Sequence, residues 1–323
     1  MLVLQTRDLA LHETVDDLAA ATLSPEVIWI DMCAPTPDEI AFVERVSKLH
    51  VPSRAEISEI EVSSRLNIEN DVLFLSTPIS FRADGVRPAT TPVGFVLSAH
   101  LLITVRFENL PAFAGFKERC FAGHAVHPSS AGLFIGLLEA VVDRMADVLE
   151  NVGTQLDEIS QLVFHTADAR VADTDLQKTL QSLGRSGEIL SKIRDSLLGI
   201  GRIVPYVAGL SAEWMPAEVG PHLKTLRDDI ASLNDYDSYL NSKVQFLLDA
   251  TLGLINIEQN NIMKVLTVVS VVGVPPVLIA GIYGMNFKVI PELDWAWGYP
   301  YAIVLMIVSA LITFIWLKHR RWF

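Results

Sequence analysis

The hydrophobic positions change their period along the chain. In the first third, short β-branched and aromatic runs dominate: LVLQT (2–6), VIWIDM (27–32), DVLFLSTPIS (71–80), VGFVLSA (93–99) and LLITVRF (101–107). Such runs predict strands. Between them, TPDEIAFVERVSKL (36–49) has helical spacing, with Thr36 placed as N-cap and Pro37 at the first helical position. ADG (83–85) and SAH (98–100) read as turns. These elements predict an α/β domain with a mixed sheet over residues 1–129.

From about Ser130 the period becomes helical. Leu133, Leu137, Val141, Met145, Val148, Val152, Leu156, Ile159 and Leu162 define one helix. Leu176, Leu180, Leu183, Leu190, Ile193 and Leu197 define a second, giving a helical hairpin over 130–220. The acidic connection HTADARVADTD (165–175) is either simply solvated or a loose holder of divalent ions. A third pattern reads Leu, Leu, Ile, Leu, Asp, Leu, Val, Leu, Thr, Leu at positions 223, 226, 230, 233, 237, 240, 244, 247, 251 and 254. This is a heptad seam broken at Asp237 and Thr251. Gly253 is isolated, so one helix is expected from about Pro221 to Tyr283, ~90 Å long, with a stalk over 221–264. A seam facing copies of itself predicts a symmetric oligomer.

Two charge-free stretches then reach the ~18 residues a membrane span needs. They are VLTVVSVVGVPPVLIAGI (265–282) and YPYAIVLMIVSALITFIWL (299–317). They predict transmembrane helices over 265–283 and 299–317, a connection over 284–298 and a basic tail over 318–323. Lys264 precedes the first span, and Lys318, Arg320 and Arg321 follow the second. By the positive-inside rule both ends face the cytoplasm. Trp295, Trp297 and Tyr299 at one interface and Trp316 and Trp322 at the other suit aromatic belts. MLVLQTRDLALHE offers no apolar leader, so the N-terminal body is expected in the cytoplasm.

Charge follows the same division. The chain carries 25 Lys+Arg against 38 Asp+Glu, a net −13. Residues 1–260 hold −16 of it and residues 261–323 are +3. An acidic body has the wrong sign for coating nucleic acid. Cys33 and Cys120 form no CxxC pair, which suits a reducing compartment. No GxxxxGK[ST] or GxGxxG loop is present, so transport powered by ATP in this chain is not expected. No nucleophile–base arrangement or catalytic metal cluster marks an enzyme.

Asn260, Met263, Thr267, Ser270, Val274, Val277, Gly281 and Gly284 share one helical stripe of small or weakly polar residues. Such a stripe suits either close helix packing in lipid or the wall of a conduit. Pro275 and Pro276 leave the carbonyls of Val271 and Val272 without their usual donors, and in lipid these need water or a neighbour. Two spans cannot enclose a conduit alone, so that reading requires an oligomer.

The first span ends in YGMNF (283–287), followed by PEL (291–293). Here the sequence resembles the CorA family of magnesium and cobalt transport proteins, proteobacterial type. The match is close over 256–293, extends to WGYP (297–300) and KHRRWF (318–323), and includes VPSRAEISEIEVSSRL (51–66) and NLPAF (109–113). It covers essentially the whole chain. The resemblance implies a homopentamer in the bacterial inner membrane, with a cytoplasmic α/β funnel, a stalk helix that becomes the pore-lining span, and an outer second span.

On matching positions, the resemblance makes Gly284, Met285 and Asn286 the selectivity ring at the outer mouth. Asn260, Met263, Thr267 and Val274 would line the conduit, with Ser270, Val277 and Gly281 continuing the same stripe. Asp249 falls where the family places a carboxylate for regulatory Mg²⁺ between subunits, and Lys318, Arg320 and Arg321 would form a basic ring. Val274 stands where relatives often carry bulkier Met or Leu. The implied cargo is Mg²⁺, with Co²⁺ and Ni²⁺, moving inward down the electrochemical gradient; no organic cofactor is implied. A ZntB-like zinc transporter shares the fold and GMN, and HAVHP (124–128) would suit zinc if its histidines were ligands. A two-span receptor with a cytoplasmic signalling domain is the reading from another class.

Overall fold

In the computed structural model, residues 2–6, 12–13, 24–83, 87–121, 128–165, 173–210, 214–286 and 291–320 are described. They divide into two compact units. One comprises 1–171 and 177–248, the other 172–176 and 249–323.

The first unit is built on a seven-stranded sheet. Its strands are β1 (Leu2–Thr6), β2 (His12–Glu13), β3 (Val27–Cys33), β4 (Leu66–Glu69), β5 (Val72–Ala83), β6 (Arg87–Leu97) and β7 (Leu102–Arg106). Their order is β2-β1-β3-β7-β6-β5-β4. Among the described residues only β3 and β7 run parallel; the other pairs are antiparallel, so the expected mixed sheet is present.

Both faces of the sheet are buried, which explains why its inner strands read as nearly continuous apolar runs. Phe95, Leu97 and Leu102 enter one core; the alternating Val96 and Ile103 enter the other. The second core is closed by α1 (Pro37–Ser47), through Phe42 and Val43. Thr36 caps that helix in a full capping box with Glu39, as its sequence predicts. The first core is closed by α4 (Pro111–Phe121), α5 (Ser130–His165) and α6 (Asp173–Leu210). Two short turns, α2 (Arg54–Ile57) and α3 (Val62–Arg65), precede β4.

β4 pairs with β5 only over Val72–Leu75, so the rest of β5 is a sheet edge on that side. Helix α6 covers it. The Ser80 amide donates to Ser196 Oγ at 2.9 Å, and Gly199 sits so close that a Cβ there would collide with Thr77 Oγ1 and lie 3.1 Å from Thr77 Cβ. Covering an unpaired edge removes a template for intermolecular strand pairing.

Asp31 on β3 is buried. It accepts Arg106 Nη2 at 2.9 Å, Lys117 Nζ at 2.5 Å and Thr104 Oγ1 at 2.7 Å. Burial alone would raise its carboxyl; the Arg106 and Lys117 cations outweigh that and hold it below the ordinary aspartate range.

Helix α7 (Gly220–Tyr283) runs unbroken through Pro275 and Pro276, as the absence of stop signals predicts. Its heptad seam behaves differently from expectation. Leu223, Leu226, Ile230, Leu240 and Leu247 are buried in the chain's own core with α5 and α6 residues. The seam is therefore one side of an intramolecular three-helix layer and does not face copies of itself. A 3–4 apolar period serves both arrangements equally, because each needs one apolar stripe per helix. Asp237, a break in the seam, is fully buried and is met by Arg194 of α6. His222–Glu139 (3.0 Å) and Lys243–Asp157 (2.6 Å) tie α7 to α5.

The second unit holds the later part of α7, a short turn at Pro291–Asp294 and α8 (Gly298–His319). In the most apolar 18-residue stretch of the helix ending at Tyr283 no residue is buried, and in that of α8 only 11% are. A core helix of a soluble domain would be covered. These two helices instead expose their apolar side chains and need lipid or neighbouring helices around them.

Candidate functional site: the last turns of helix 7 and the loop after it

The stripe read from the sequence lies on one continuous helix. Asn260, Met263, Ser270, Val274, Val277 and Gly281 are exposed and Thr267 is half-buried. Its hydroxyls are not free donors. Thr267 Oγ1 donates to the Met263 carbonyl at 2.7 Å and Ser270 Oγ donates to the Leu266 carbonyl at 2.9 Å. Back-bonding of this kind lets a hydroxyl sit in an apolar span with its proton satisfied, leaving only lone pairs facing outward. Around Gly273 there is open space, and Val269, Ser270, Val274, Val277 and Leu278 flank it in a shallow groove.

The helix ends just after Tyr283. The Gly284 amide still bonds to the Ala280 carbonyl at 2.9 Å, and the Met285 amide tightens to the Ile282 carbonyl at 3.2 Å. A Cβ on Gly284 would stand 3.1 Å from the Ala280 carbonyl oxygen, tighter than ordinary contact, so glycine suits this close approach to the final turn. Gly284, Met285 and Asn286 are all exposed. Thus the sequence motif sits at the open end of the same helix that carries the stripe, and the two are continuous. Phe287 lies outside the described residues.

The remaining candidates are separate from this end. Asp249 is exposed on α7. Among the described residues, no three His, Cys, Asp or Glu side chains come together where a metal ion could sit. Asp249 therefore brings one carboxylate and, among the described residues, no partner set from its own chain. Lys318 and Arg320 lie at the C-terminal end of α8, with the Arg320 guanidinium over the Trp316 ring at 5.7 Å. Trp295 and Tyr301 meet edge-on at 6.2 Å near the start of α8. Arg321, Trp322, His124, His127 and the middle of the acidic connection (166–172) lie outside the described residues.

Sequence reasoning missed the Asp237–Arg194 and Asp31–Arg106–Lys117 groups. The first had a signal: an aspartate on an apolar seam must be paired if it is buried.

Comparisons with known proteins agree with this architecture. Residues 24–319 match the family model for the CorA-like Mg2+ transporter protein. The magnesium transport protein CorA of Escherichia coli K12 is 31% identical over 297 residues, covering 91% of this chain and 92% of that one. Among solved structures, the CorA magnesium transporter of Methanocaldococcus jannaschii superposes with a TM-score of 0.74 over 100% of this chain and 99% of that one, at 19% identity. The ZntB cytoplasmic domain of Vibrio parahaemolyticus is more distant, with a TM-score of 0.54 over 79% of this chain and 98% of that one, at 13% identity. The two exposed apolar helices are accordingly membrane helices, and the chain is a transporter and not an enzyme. By the family match and by its bacterial relative, the chain belongs to the CorA-like Mg2+ transporter family.

Proposed function

We propose that five copies of this chain form an inner-membrane channel that admits Mg²⁺, and also Co²⁺ and Ni²⁺, into the cytoplasm, with both termini on the cytoplasmic side. The conduit is lined by Asn260, Met263, Thr267, Ser270, Val274, Val277 and Gly281. Gly284, Met285 and Asn286 form the ring at its outer mouth. The observation that carries this reading is the continuity of the exposed stripe with the exposed motif along one helix.

Self-association is supported by uncovered apolar side chains on α7 outside the seam: Tyr239 is 57%, Phe246 59% and Ile257 58% exposed. The chemistry suits the cargo. Mg²⁺ gives up its water reluctantly and prefers oxygen. A ring of Asn286 amides and backbone carbonyls holds the water shell by hydrogen bonds, without the tight carboxylate binding that would slow release. No fuel is needed, since a divalent ion gains ~4.6 kcal/mol per 100 mV, at ~2.3 per charge. Val274 and its apolar neighbours close the conduit by dewetting.

Regulation requires a second copy. Asp249 alone supplies one carboxylate, and Mg²⁺ is commonly held by one or two carboxylates and its own waters. Asp249 facing an acid of the next subunit fits that donor set; Glu69 and Asp71, at the exposed β4–β5 turn, are the candidates. Repulsion between such acids favours opening when internal Mg²⁺ is low, and bound Mg²⁺ favours closure. Lys318, Arg320 and Arg321 make the basic ring at the cytoplasmic interface.

The test is ion-resolved uptake into proteoliposomes with and without internal Mg²⁺, comparing Mg²⁺, Co²⁺, Ni²⁺ and Zn²⁺. Mg²⁺ uptake suppressed by internal Mg²⁺ is the expected result. Uptake of Zn²⁺ in preference to Mg²⁺ would favour the ZntB-like reading.

A further inference from the structure

A cavity of about 290 Å³ lies in the first unit between β5, the start of α4, and helices α5 and α6. Nothing in the transport reading uses it. Its floor is apolar: Ile79, Leu110, Val141, Met145 and Ile193 are all buried. Phe81 and Val148 are half-buried at its walls, and the Phe81 ring and the Met145 thioether are both available to a flat ligand.

The charged residues lining it are of one sign. Arg82, Arg144 and Lys192 all contribute. Arg144 is engaged by Asp147 at 3.5 Å. Arg82 and Lys192 have no carboxylate partner among the described residues, which places two positive charges beside an apolar floor. Ser80 and Asn109 also line the cavity and supply neutral hydrogen-bonding groups.

We propose that this cavity binds an organic phosphate monoester with one flat aromatic body, of nucleoside monophosphate size. Two unpaired cations match a phosphate, which carries about −1.5 to −2 at neutral pH, better than a singly charged carboxylate. The volume is at the low end of small-molecule sites, about 300–1,000 Å³, which fits one ring system with its phosphate at the rim. The apolar floor takes the ring; Ser80 and Asn109 take its polar edge. Because β5, α4, α5 and α6 all line the site, an occupant would tie the sheet to the helices that cover it.

The test is calorimetric titration of AMP into the full-length protein in lipid nanodiscs. AMP serves because it chelates Mg²⁺ far less than a nucleoside triphosphate does. Adenosine and inorganic phosphate are titrated separately. Saturable binding of one AMP per chain is expected, with each fragment at least about tenfold weaker, as loss of a charge-assisted contact implies. Arg82→Glu with Lys192→Glu removes binding, and Val148→Trp, which fills the wall, does the same. Absence of saturable AMP binding to the wild type overturns the proposal, as does binding unchanged in a variant that melts like the wild type. Adenosine or phosphate binding as tightly as AMP overturns the assigned ligand class. Mg²⁺ uptake by the double variant stays at the wild-type level, so the channel reading stands or falls separately.

Discussion

Arg194 and Asp237 meet in the helical layer: Nε at 2.8 Å and Nη2 at 2.7 Å both reach Oδ2, while Oδ1 is buried with no hydrogen-bond partner among the described residues. Burial pushes the Asp237 carboxyl up, against the opposing pull of Arg194 and Asn241. The guanidinium is partly exposed and water screens it, so the pair is worth less than a fully buried one. Arg194→Met should destabilise the protein by about 2–3 kcal/mol by stranding the carboxylate. An acid with a raised folded pKa binds protons more readily folded than unfolded, so its penalty shrinks as pH falls toward that value. The variant should therefore recover stability on mild acidification, measured as the midpoint of thermal unfolding. A midpoint indifferent to pH would contradict the assignment.

The opposite sign holds at Asp31. Its folded carboxyl lies below the unfolded value, so its contribution is present above the unfolded pKa and is lost as pH falls through the folded one. Asp31→Asn should cost ~3–5 kcal/mol at neutral pH, because Arg106 and Lys117 lose a shared partner in a buried site. Denaturant unfolding across the acid range should show wild type and variant converging at low pH.

Gly199→Ala tests the cover on the sheet edge. The added methyl meets Thr77, which is fully buried, and Pro78 at 3.5 Å. Overpacking of this type costs about 1–3 kcal/mol. Thr77→Ala in the same chain should return part of the loss, seen as a non-additive double-mutant cycle in chemical denaturation.

Asn286→Ala should reduce selective Mg²⁺ uptake in proteoliposomes to background while leaving assembly and melting unchanged. Asn286 is exposed, so truncating its side chain is not expected to disturb the fold. Wild-type flux in this variant would refute the amide ring.

Asp249→Lys should leave uptake running at internal Mg²⁺ concentrations that silence the wild type. The exposed position makes a folding defect unexpected. Unchanged inhibition by internal Mg²⁺ would remove Asp249 from the regulatory site.

Much of this architecture was legible in the sequence, for reasons specific to its elements. The inner strands announced themselves because both sheet faces are buried. Helix α1 did so because Thr36, Pro37 and Glu39 form a complete start signal. β4 (LNIE) was not, since it is a short polar edge strand. It is joined to β5 by Asn70 and Asp71, both at positive φ, a two-residue turn suited to a hairpin. The seam of α7 was visible but its partner was not, because periodicity gives a buried face without naming what buries it. At the candidate site the motif and the stripe were readable residue by residue. That Thr267 and Ser270 spend their protons on their own helix was not, because spacing does not report rotamers.

That arrangement has a consequence for sign selectivity. A hydrated metal cation turns its water hydrogens outward, whereas a hydrated anion turns oxygens outward. A surface that offers lone pairs and withholds protons therefore greets the first kind of shell and rebuffs the second. On the proposed conduit, Thr267 and Ser270 locked onto the backbone in this way would let the charge-free stretch 265–282 prefer one polarity of traffic with no carboxylate of its own.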